Sequence, residues 1–265
     1  MYALMSLNEY ATHRYFQHLE FNKPGTMQGL KDAWKSITST EEDPKMSGDG
    51  HVEHHAETYD DMSLKNDERW LRTPASKSLD DDDWRGTAFH WKATGIMTMQ
   101  MAPSVFPTYA LMGWTPLETF AILIPCMLVH AAIWNAIHPP MHGLPPVTAD
   151  AGVPSSLLAE PLCETAYWRF IYENHMGHHV LGGQANYNVC CPMADHLLGT
   201  YVPASEWSAK MRAIPDGAST RGAPVGPPGL PQTPAYVAKA ERMGKKQEIA
   251  VLEGGGSIIA DAYST

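Results

Sequence analysis

Charge all but disappears from the chain in two places. From Ala93 to Gly113 and again from Leu117 to Ala136 the residues are apolar or small, broken mainly by Gln100 in the first stretch and by Glu118 at the edge of the second. Each stretch is about 20 residues, the length an α-helix needs to cross a hydrocarbon core. Trp114-Thr115-Pro116 joins them in a tight connection whose aromatic suits a lipid–water interface. The pattern predicts a helical hairpin that enters and leaves a membrane on the same side. Pro103 and Pro107 weaken its first helix, and a buried hairpin in a water-soluble domain is the competing reading.

Outside the hairpin the apolar residues thin out. Residues 1–20 read as the end of a helix that turns polar and aromatic around His13, and 22–50 read as a polar segment. A helix resumes over His51 to Asp60, and the charged residues 56–88 are predicted to cover a cytosolic face. Residues 139–159 are punctuated by Pro and Gly, whereas 160–179 have helical character with Trp168, Phe170 and Tyr172 among their apolar positions. From Pro203 onward Pro, Gly, Ala and Lys dominate, which predicts a largely disordered tail with a short helix over 235–251. The expected fold class is all-α: one membrane domain over residues 1–202, a helical hairpin with a partial N-terminal helix that carries a cytosolic helical cap, followed by a tail over 203–265.

Composition narrows the functional classes. The net charge of −10, without clustered Lys and Arg interleaved with aromatics, argues against a nucleic-acid partner. Four cysteines are too few for a disulfide framework, and adjacent Cys190-Cys191 cannot readily bridge to each other, so a reducing environment is expected. The short apolar start, Met1 to Leu7, is followed at once by Asn8, Glu9 and His13 and does not read as a cleavable signal.

Of 13 histidines, ten fall into four groups: His13 and His18 in HRYFQH, His51, His54 and His55 in HVEHH, His138 and His142 in HPPMH, and His175, His178 and His179 in HMGHH. Positions i, i+3 and i+4 share one helix face, so each HxxHH group aims its imidazoles into one volume. Ten ligands exceed what one ion takes; shared between two ions they give about five each and leave a position open. His13 and His18 diverge by about 140° on a straight α-helix, so their convergence requires the helix to end or bulge. In HPPMH the two prolines are expected to stop a helix at His138 and to start another at Pro139. Two groups precede the apolar hairpin and two follow it, and two crossings return the chain to the same face. His90 is expected at the interface, His130 as a helix-packing histidine or, being ionisable within an apolar stretch, a functional one, and His196, Glu53 and Glu173 either as supports of the ligands or as plain surface groups.

These residues carry a resemblance. The series H-x4-H, HxxHH, H-x3-H, HxxHH, in this order, and the segment NHMGHHVLGGQANYNVCCPMADHLLGTY from Asn174 to Tyr201, resemble the fatty acid hydroxylase/sterol desaturase superfamily. The similarity covers roughly residues 8–202. It implies that the ten histidines ligate two metal ions, usually taken as iron although imidazole also accepts zinc in vitro, with Asn186, Tyr187 and Asp195 in support. It further implies oxygen-dependent hydroxylation of a membrane lipid, electrons from an external donor such as a cytochrome of the b type with its reductase, and an endoplasmic reticulum membrane with the site facing the cytosol, or a plastid membrane. A sterol or carotenoid desaturase or methyl oxidase using the same centre, and a non-catalytic zinc-binding membrane protein, are the alternatives. The sequence departs from that family where only about ten residues precede His13 and where polar insertions lengthen the intervals between the histidine groups, so the resemblance does not fix the substrate.

Overall fold

The structure, a computed structural model, describes residues 1–221 apart from 49, 80–83, 85, 146, 164 and 216. It is mostly helical. In chain order the α-helices are α1 (Tyr2–Ala11), α2 (Gln28–Thr38), α3 (His51–Glu57), α4 (Glu68–Leu71), α5 (Pro74–Ser78), α6 (Trp91–Leu111), α7 (Pro116–Met141), α8 (Ser156–Cys163), α9 (Ala166–Val180), α10 (Met193–Leu198) and α11 (Ala204–Trp207). One two-residue antiparallel pair, Leu64–Lys65 with Thr220–Arg221, is the sheet among the described residues.

Local chemistry explains where the long helices begin. Thr115 accepts from the Glu118 N–H while the Glu118 carboxylate accepts from the Thr115 N–H, a reciprocal cap, and Pro116 fills the first helical position where no N–H is needed. Thr165 caps α9 by accepting from Trp168 N. α6 and α7 pack along each other after the turn at 112–115, with Phe106 against Phe120 and Tyr109 against Trp114. The start of α6 and the end of α7 lie together. Asn135 of α7 accepts from Phe89 N (2.7 Å) and donates to Phe89 O (3.1 Å) and Val153 O (3.0 Å), which lashes residues 87–90 and 153 to that end.

Of the two apolar stretches, α7 is the helix among the described residues that is long and apolar enough to cross a membrane. α6 is continuous through Pro103 and Pro107, yet Thr94, Thr98, Gln100, Ser104 and Thr108 keep it below that composition. The core joins both to α9: Met97, Met101, Leu123, Met127 and Ile137 meet Trp168, Ile171, Tyr172 and Met176.

Four expectations need correction. α7 runs through Pro139 and Pro140 to Met141 rather than stopping at His138. The two lost N–H groups fall in the last turn, where chain reversal follows at once through His142 N to Pro139 O and Gly143 N to Pro140 O. The polar segment 22–50 contains α2, which periodicity had not singled out. The helical character of 160–179 divides into α8, which begins at Ser156, and α9. The predicted tail does not begin at 203: Trp207 of α11 is buried beside α9, and Arg212 pairs with Asp60 (2.8 Å). The helix expected over 235–251 lies outside the described residues.

Candidate metal centre

All ten histidines of the four motifs meet in one region, in two adjoining groups. His13, His18, His51, His55 and His178 bring their ligand atoms within 4.8 Å of one another, as do His54, His138, His142 and His179. His175 completes the second group, its Nε2 lying 2.9 Å from that of His138 and 3.1 Å from those of His142 and His179. Each group is built the same way. One close pair (13/18 or 138/142) joins the i, i+4 pair of one HxxHH motif (51/55 or 175/179) and the middle histidine of the other (178 or 54). The two motifs thereby bind the groups together, with the His55 and His179 rings stacked at 4.2 Å across the boundary.

The divergence expected for His13 and His18 is removed by a π-helix. Residues Thr12–Gln17 bond i to i+5, and His18 N donates to His13 O (2.9 Å), so the wider turn stacks residues five apart. His18 Nε2 then lies 3.2 Å from His13 Nε2 and 2.9 Å from His178 Nε2. Gly183 makes room for it: in the left-handed region at φ +72°, its missing Cβ would run into the His18 ring.

The second nitrogens define the tautomers. A carbonyl oxygen can only accept, so an imidazole nitrogen bonded to one must carry hydrogen. Nδ1 donates from His13 to Tyr187 O, from His138 to Thr87 O (2.6 Å), from His142 to Met62 O (3.0 Å) and from His178 to Ala185 O (2.7 Å). Each of these rings, when neutral, presents an Nε2 lone pair to the group. Thr87 O also accepts from Trp134 Nε1 (2.7 Å), which fixes its direction. Met62 and Asn186 hold left-handed backbone at φ 72° and 52°, beside the carbonyls of 62, 185 and 187 that do this orienting.

Burial, together with the repulsion between neighbouring imidazoliums, pushes the protonation of His13, His51, His55, His175 and His179 well below the usual histidine range. Burial does the same for His142, takes His178 down to about 4 and His18 to about 2. Neutral rings have few protons to share. Around His175 three Nε2 atoms lie within 3.1 Å, and a single N–H could satisfy one of them. A cation satisfies all: imidazoles at about 2.1 Å from an ion stand about 3 Å apart at right angles and about 3.4 Å apart tetrahedrally, and the closest Nε2 to Nε2 contacts within the groups span 2.8 to 3.3 Å. These buried clusters can hold metal ions.

The three supporting positions act one step out. Asp195 accepts from Tyr187 N (2.9 Å), Asn188 N (2.6 Å) and the Thr200 hydroxyl (2.7 Å), fixing the loop whose Tyr187 carbonyl holds His13. Asn186 ties that loop to Asn174 O and to both backbone groups of Val202. Of the two roles open to His196, the structure shows the surface one: it is exposed, its ring tilted against that of Tyr201 at 4.1 Å. Among the carboxylates, it is Glu57, not singled out by spacing, whose Oε1 stands 3.7 Å from His54 Nδ1. Glu9 was missed, although it lies one helical turn before His13. Its buried carboxylate accepts from the N–H groups of Val189, Cys190 (2.8 Å) and Cys191 (3.1 Å) and faces His130 Nε2 (3.0 Å). Glu9, His130 and Cys191 also lie within ligand distance of one another. The N–H dipoles turned onto Glu9 occupy its lone pairs and oppose a cation there, so the trio is a structural joint between α1, α7 and the 188–191 loop.

No family model, curated protein or solved structure matches this chain.

Proposed function

We propose that this protein is an integral-membrane lipid hydroxylase, oxygen-dependent, of the fatty acid hydroxylase/sterol desaturase type, with two iron ions held by the ten histidines on the cytosolic side of the membrane. The observation that carries this reading is the meeting of imidazoles from four separated segments as two adjoining groups of five, with Nε2 atoms about a coordination edge apart. Five imidazoles exceed the four ligands of structural zinc and favour an ion of higher coordination number. Iron bound there would supply the redox chemistry that turns dioxygen on an unactivated C–H bond.

The protein's own contribution is orientation and exclusion. Backbone carbonyls hold four rings with Nε2 inward, Asp195 and Asn186 fix the loop that supplies two of those carbonyls, and burial keeps water from most of the site. His18 and His55 are the partly exposed members, which gives the first group the more open side.

A bilayer is favoured by the surface of α7. Its outward positions include Leu117, Phe120, Ile124, Leu128 and Val129, all substantially exposed, whereas the core helix of a water-soluble domain turns polar residues outward. With α6 beside it, the pair reads as a membrane hairpin with the metal centre at the end where residues 87–90 and 138–142 meet. Electrons are assigned to a separate donor, a cytochrome of the b type with its reductase, because the sequence carries no flavin or nicotinamide pattern. Lipid profiling of cells expressing the chain, beside cells expressing His178→Ala at equal abundance, tests the reading. An oxygen-dependent oxidised lipid present with the parent protein alone is expected; identical profiles contradict the enzymatic assignment.

A further inference from the structure

α2 has its polar stripe turned inward. Lys31 is 1% exposed, with Nζ donating to Lys23 O (3.0 Å), lying over the Phe21 ring at 5.1 Å and standing 4.0 Å from Asp43; Gln28 and Lys35 beside it are half-buried, and Lys35 also pairs with Asp43 (2.8 Å). Leu30, Trp34 and Ile37 form a second stripe at helical spacing, about a third of a turn around the axis from the first, with Met27 at the N-cap before them. Met27, Leu30, Trp34 and Ile37 are 36%, 57%, 52% and 81% exposed. A lysine inside and a row of large apolar side chains outside is costly against water and natural against lipid.

We propose that α2 lies along the bilayer surface as an in-plane anchor, its Met27, Leu30, Trp34 and Ile37 flank immersed among lipid headgroups and upper acyl chains. This rests on the membrane part of the reading above and not on the metal centre. An 11-residue helix is about 16 Å long and about 10 Å across, so one flank falls well short of the ~800 Å² that each partner buries in a stable dimer, and a second copy is the poorer occupant. Immersion by about 5–10 Å suits a helix of this make-up, and a central Trp is the residue that favours the interface. α2 begins ten residues after His18, so the anchor would tether the partly exposed side of the centre to the plane from which a lipid arrives.

The test is tryptophan quenching on the full chain in phospholipid nanodiscs with brominated acyl chains, parent protein against Trp34→Phe. With eight tryptophans, the expected result is a bromolipid-quenched component of about one eighth of the emission that Trp34→Phe lacks, and that becomes accessible to acrylamide when Leu30→Asp and Ile37→Asp are combined. A Trp34 component quenched by acrylamide and not by bromolipid overturns the proposal, as does one quenched by neither, which would place a protein surface over the flank. Iron content measured on the same samples reports separately on the histidine centre.

Discussion

Gly183 shows how much of the centre depends on what a residue lacks. Its neighbour Gly182 also has positive φ, at +63°, but a Cβ there would meet nothing within 4 Å, whereas at Gly183 it would strike the His18 imidazole. Alanine at either position carries the same left-handed backbone penalty of about 1–2 kcal/mol. Gly183→Ala should therefore weaken metal binding in the first group, read as lost iron per chain, while Gly182→Ala keeps its metal and loses only stability. Equal metal content in the two variants would mean that His18 is not a ligand. The histidines themselves were legible because i, i+3 and i+4 spacing is a property of sequence. The atoms that aim them were not, since the carbonyls of Thr87, Met62, Ala185 and Tyr187 belong to residues whose side chains say nothing about that task. Positive φ at Met62 and Asn186 leaves no reliable mark in an isolated sequence either.

At the level of elements, hydrophobic runs located α6 and α7 and motif spacing located α3 and α9, yet two geometries depended on backbone detail. The π-turn over Thr12–Gln17 answers the requirement that the H-x4-H spacing imposes, since a wider turn is what brings residues five apart into line. Interior prolines cost about 3 kcal/mol and predict a stop at His138, but Pro139 and Pro140 each remove one N–H bond, to the carbonyl four residues earlier, and the backbone stays helical to Met141. α2 escaped notice because its polar residues outweigh four apolar ones in any average, and only their three-dimensional separation reveals a stripe. For α7 the bilayer reading makes a sharp prediction at Val129, which is 57% exposed near the middle of the apolar run. Val129→Lys should cost about 2.5–3.5 kcal/mol of insertion free energy, and the variant should be depleted from carbonate-washed membranes. On a water-facing surface the same change stays within about 0.5 kcal/mol, and an unchanged yield in the soluble fraction would contradict a spanning helix.

Taken as a whole, the molecule concentrates neutral imidazoles in its interior, and that couples folding of the metal-free protein to pH. The folded-state values of these histidines are depressed, to about 4 for His178 and about 2 for His18, below the ~6.5 of an unfolded chain. Between those limits the unfolded state binds protons that the folded state does not, so stability present above about pH 6.5 is lost as pH falls. Each such histidine contributes up to about 1.4 kcal/mol per pH unit. Melting of the metal-free protein should thus drop steeply from pH 7.5 to 5.5 and level when iron is bound, because the metal competes with protons for Nε2. A flat profile without metal would mean that the rings already lie open to solvent.

Iron per chain, measured after anaerobic loading and removal of excess metal, addresses the two-group arrangement most directly. The parent protein should hold two ions; His178→Ala should deplete the first group, His54→Ala the second, and the double variant both. A parent value of one or none, or two ions retained in the double variant, would contradict a centre built from these ten imidazoles.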